Sequence, residues 1–82
     1  MDRDDRSKRT VLAGQCGQTV TLVVEEPVSS LKAGWRLAEH VVVVDGVERR
    51  GVRVDAAGTT RYLPVGRIRE VRGADEGSLG SW

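Results

Sequence analysis

Phenylalanine and asparagine are absent from the 82 residues, isoleucine, histidine and cysteine occur once each, and proline occurs twice. Each scarcity excludes something. A single cysteine, Cys16, makes no internal disulfide, so nothing points to an oxidising compartment. One histidine, His40, and one thiol cannot supply the three or four ligands of a zinc site without carboxylates. They leave one conceivable nucleophilic pair, and no third residue flanks it to orient a base. No metal or cofactor site is expected, no catalytic residue is assigned, and the chain reads as a non-enzyme. No apolar run approaches the ~18 residues of a membrane span. The first residues mix acids and bases in place of a basic segment followed by an apolar one, so no signal peptide is expected. A cytoplasmic location, or one inside a particle assembled in the cytoplasm, follows as the expectation.

Valine is abundant instead: 14 residues, alongside 10 glycines. β-Branched side chains are stiff at χ1 and suit a pleated surface better than a helix, so valine with glycine argues for short strands joined by tight turns. Arginine outnumbers lysine 11 to 2, a bias typical of GC-rich bacterial and phage genomes. The length allows one domain. Residues 1–9 carry charge throughout and residues 73–82 are small or acidic, so both read as flexible tails. Residues 10–72 are left to supply a small β-barrel domain.

Along that stretch, residues 18–26 alternate, with Val20, Leu22 and Val24 on one face and Thr19, Thr21, Val23 and Glu25 on the other, a half-buried strand ended by Pro27. Residues 28–40 admit two readings. A helix capped by Ser29 or Ser30 would carry Gly34 in its interior; a loop would lead into a strand beginning at Trp35. The strand is favoured because the run flows into four consecutive valines. Asp45 and Gly46 then predict a type I′ hairpin turn, with the returning strand over residues 47–55 bent at Gly51. A turn at residues 56–59, a strand over 60–65, a break at Gly66 and a last strand bearing Ile68 and Val71 complete the reading. The fold class expected is mainly β: a small curved sheet or barrel, of SH3-like or Sm-like size, with four to five antiparallel strands and flexible terminal tails.

Two segments resemble known families. Residues 13–18, AGQCGQ, look like the phosphate loop near the start of tubulins, but here they lead into a strand where that loop leads into a helix, and they are read as a Gly-rich turn. Residues 41–55, VVVVDGVERRGVRVD, are similar to the first motif of Sm-like and Hfq-like barrels, with Gly46 and Gly51 at the family's spacing, and YLPVGRIREV is similar to their last strands. The resemblance implies a small barrel. The Asp and Asn that help form the family's RNA-binding loop are missing after Gly51, so that function is not carried over.

Charge is the remaining signal. The net charge is +1, yet residues 45–72 hold seven arginines against four acids. Arg49, Arg53, Arg61, Arg67 and Arg69, with Tyr62 as the one stacking residue nearby, form a candidate binding face whose forked guanidiniums suit phosphates or partner carboxylates. Leu79 and Trp82 form a candidate docking tail. The leading expectation is a non-catalytic protein-interaction module, a structural or adaptor subunit of a bacterial or phage assembly that binds a protein partner or itself. Thr60–Val65 or the strand at residues 18–26 would offer the free edge. The alternative is a nucleic-acid-binding, Sm/Hfq-like barrel using the Arg face. No membrane and no small-molecule substrate are expected as partners.

Overall fold

A computed structural model describes residues 3–28, 34–74 and 77–82. Helix α1 (Arg3–Ala13) precedes six strands: β1 (Thr19–Pro27), β2 (Trp35–Glu48), β3 (Gly51–Ala56), β4 (Thr59–Leu63), β5 (Ile68–Gly73) and β6 (Gly77–Ser81). A 3-10 turn, Val65–Arg67, joins β4 to β5. The strands form one antiparallel sheet in the order β4-β3-β2-β1-β5-β6. Its end strands do not pair with each other, so the sheet is curved around its core without closing.

The mainly β class and the small curved sheet are as the composition implied. The alternation in β1 holds: Val20, Leu22 and Val24 are buried in the core, where they meet Val42, Val44, Val52, Val54, Ile68 and Val71. Trp35 does begin a strand. The alternative helix start at Ser29 or Ser30 lies outside the described residues. The turn at residues 56–59 is also found. Ala57 (φ 52°) and Gly58 (φ 82°) both take the positive φ that a two-residue I′ hairpin requires.

Three expectations fail, each for a local reason. Asp45 and Gly46 do not turn the chain. Neither has positive φ, and β2 runs on to Glu48, which faces Gly51 across a turn made by Arg49 and Arg50. The register between β2 and β3 instead slips between Val44 and Gly46. This bulge switches the inward-facing parity, so that Val44 and Val47 both pack on the core. β1 is not an edge: it pairs with β2 on one side and β5 on the other. The terminal segments are not tails in the described residues. Residues 3–9 belong to α1, Gly73 closes β5, and residues 77–81 add β6 as a sixth strand.

Helix α1 covers the concave side of the sheet. Its one fully buried apolar residue is Leu12, and the position one turn earlier is taken by Lys8, only 3% exposed. The lysine stem supplies the missing apolar surface. Its ammonium donates to the Gly66 carbonyl at 3.3 Å and lies 5.9 Å from the Trp82 ring centroid. Arg9 ties the other side of the helix to the β2–β3 turn, donating to the Glu48 carbonyl at 2.8 Å and the Arg49 carbonyl at 3.2 Å.

Candidate interaction surface

The convex face of the sheet carries the side chains that the core does not use. On β2 these are Trp35, Leu37, Glu39 and Val41, alternating with the inward Ala38 and Val42. Trp35 is 57% exposed, Leu37 62% and Val41 68%, which makes them the most exposed large apolar residues of the described chain. Tyr62 on β4 is also exposed.

Backbone geometry adds to this apolar strip. β3 begins to pair with β2 only at Val43, which faces Asp55. Residues 35–42 of β2 therefore have β1 on one side and no strand of the described chain on the other. The hydrogen-bonding parity of the strand is fixed at both ends. Val44 donates to the Gln18 carbonyl and accepts from Gly17 N–H, while the Gly34 carbonyl accepts from Val28 N–H. Both amide groups of a strand residue point to one side, and the side alternates along the chain. Even-numbered residues of β2 thus bond to β1. The N–H and C=O of Trp35, Leu37, Glu39 and Val41 point into the open edge.

Charged groups border the strip. Arg69 Nε donates to Glu25 Oε1 at 2.6 Å, across β1 and β5. Arg72 reaches Glu39 Oε1 at 2.6 Å and Glu70 Oε1 at 2.8 Å. The Arg69 hydrogen bond holds the Glu25 carboxyl below its ordinary value, and Arg72, then Ser78, do the same for Glu70. Arg67 lays its guanidinium 4.9 Å from the Trp35 ring centroid. On the concave side, beyond the packed core, Glu26 accepts from His40 and lies 3.9 Å from Arg36.

The expected Arg face does not converge. Arg53 and Tyr62 face each other on β3 and β4, but Arg61 pairs with Val54 and so belongs to the opposite face of the sheet. Arg49 sits in the β2–β3 turn, and Arg50, which was not singled out, stacks 5.1 Å from Tyr62. Arg53 Nη1 lies 2.9 Å from Glu48 Oε2, an ion contact outside hydrogen-bond geometry. Arg67 and Arg69 lie at the far side of β1. The docking tail is engaged within the chain. Trp82 N–H donates to the Arg69 carbonyl at 2.7 Å, its indole N–H to Ser7 Oγ at 3.3 Å, and both Leu79 and Trp82 pack against the core.

Cys16 and His40 are placed apart. Cys16 bridges to Val44, four strand positions from His40, a separation of about 13 Å at ~3.3 Å per residue, and His40 is turned to Glu26. Among the described residues no group of three or more His, Cys, Asp or Glu is arranged to hold a metal ion, and no helix is long and apolar enough to cross a membrane. Comparison with family models, with curated proteins and with solved structures gives no match.

The residues that matter most here, Leu37 and Val41, were readable as one face of a strand. Their exposure was not, because an alternating strand does not say which face meets the core.

Proposed function

We propose that the chain is a non-catalytic interaction module, a structural or adaptor subunit of a bacterial or phage assembly working in the cytoplasm or in a particle built there. One observation carries the reading: residues 35–41 combine a strand edge that no strand of the described residues pairs with and three exposed apolar side chains. An open hydrophobic edge is the kind of surface that natural sheets cover, shorten or charge unless another chain pairs with it, and strand addition is a general mode of protein recognition. The arginines favour this over a nucleic-acid surface. Arg53, Arg69 and Arg72 are engaged by carboxylates of the same chain, and the candidate set is divided between two faces and two ends of the sheet.

The test compares the tagged wild-type chain with a Leu37→Lys/Val41→Lys variant, expressed in the cells it comes from. Both substitutions fall on exposed positions, so circular dichroism should match, and so should the thermal midpoint in solutions dilute enough that the wild type is unassociated. The wild type should retain a stoichiometric protein, either its own untagged copy or another chain, and the variant should lose it. Retention of no protein, together with salt-dependent binding of a labelled single-stranded RNA or duplex DNA, would overturn the reading in favour of the nucleic-acid alternative.

A further inference from the structure

The open edge of β2 is self-complementary, and from this we infer that its occupant is the same edge of a second copy, paired antiparallel about a two-fold axis at Ala38. The inference rests on the interaction reading above and names the partner. The free segment, residues 35–41, has Ala38 at its midpoint. A two-fold there uses every outward amide: Trp35 pairs with Val41 and Leu37 with Glu39, in hydrogen-bonded pairs formed twice over. On the convex face the Trp35 ring comes to lie against Val41 of the other copy, so each copy covers two of the other's exposed apolar groups.

The registers displaced toward β3 are worse. An axis at Glu39 sets that carboxylate opposite itself, a destabilising like-charge pair, and draws in Val43, which already faces Asp55. An axis at His40 pairs Leu37 with Val43 and meets the same obstruction. In the Ala38 register, Glu39 faces Leu37 and remains held by Arg72 of its own chain. On the concave face, Arg36 arrives beside the other copy's His40, whose partner is a carboxylate, Glu26. The arrangement joins two six-stranded sheets edge to edge with their convex faces on one side.

Even-numbered residues of β2 bond inward to β1, so the two Ala38 residues form a non-hydrogen-bonded pair with Cα atoms ~4.5 Å apart, within the range a disulfide spans. The test therefore uses Ala38→Cys in a Cys16→Ser background, with Arg36→Cys and His40→Cys in the same background as controls. Sedimentation equilibrium of the wild type should give twice the 8.9 kDa chain mass, and mild oxidation should link the Ala38→Cys chains to each other. Arg36→Cys should link only when mixed with His40→Cys, since these positions oppose one another. Leu37→Pro removes an outward N–H without touching the β1–β2 ladder, and should return the chain to a monomer with unchanged circular dichroism. A wild-type monomer at millimolar concentration overturns the inference. So does a dimer in which Ala38→Cys fails to link while another position does. If the chain is monomeric yet retains a different protein through Leu37 and Val41, this inference fails and the proposed function stands.

Discussion

Gly51 is a residue at which the fold tolerates little change. It opens β3 with φ +151°, and a Cβ built there would lie 2.5 Å from the Leu63 carbonyl oxygen. β3 and β4 are thus drawn together where only a glycine fits. Gly51→Ala combines backbone strain with a clash against main chain that no rotamer relieves, and should lower stability by about 3 kcal/mol. A fall in the urea midpoint at constant m would show it; a change under about 1 kcal/mol would mean the two strands can separate there without cost. Lys8 is a different case, a charge in a position that asks for apolar surface. If its stem is what the fold uses, Lys8→Met should be neutral to within about 1 kcal/mol, since hydrophobic replacement of a buried charge is often tolerated. Lys8→Ala should cost about 2 kcal/mol through the packing it removes. Equal losses in the two variants would assign the role to the ammonium and its bond to Gly66.

Strands here are shaped by bulges. The slip near Asp45 lets Val44 and Val47 face inward, and a second, at Arg69, does so for Ile68 and Val71, since Val23 faces Glu70 while Val24 faces Ile68. The β5 slip also leaves Arg69 free to reach Glu25 across β1. That pair and the Arg72–Glu70 contact make the β1–β5 region sensitive to acid. Both carboxyls are held below their ordinary 4.5 in the folded chain, each by an arginine hydrogen bond first. Their contribution is therefore fully present above about pH 4.5 and is lost as the pH falls through the lowered folded values. The effect is small and salt-screened for groups this exposed. The urea midpoint should drop between about pH 5 and pH 3, and less in Arg69→Gln, which has no raised affinity for the ionised Glu25; an identical drop in the variant would remove the pair from the explanation. The strands themselves were legible in the sequence because β-branched alternation in β1 and the valine run in β2 leave no other period. Bulges were not, since inward residues three apart on one strand look like a phase error in a two-residue repeat. Nor was α1, whose stripe holds one Leu and a lysine stem where a helix would advertise two apolar residues.

At the scale of the whole molecule, β3 is paired on both sides along nearly its whole length and β1 over residues 20–24, whereas half of β2, residues 35–42, has β1 on one side and no strand of the described residues on the other. The side chains bordering that half were readable from the alternation; the vacancy beside it was not, because it arises from where β3 stops, and β3 stops at a turn set by Ala57 and Gly58. Amide exchange should report the arrangement residue by residue. In dilute solution the amides of Ala38 and His40, which bond to β1, should exchange slowly, while those of Leu37, Glu39 and Val41 exchange near the rate of free peptide. At concentrations where two copies pair, the second set should become protected and the first should change little, turning an alternating pattern into a continuous one. Leu37→Pro should keep the alternating pattern at every concentration. Uniform protection across β2 in the dilute monomer would mean that another part of the chain already occupies the edge, and the apolar strip would then be the outer wall of a closed sheet with no half-built seam.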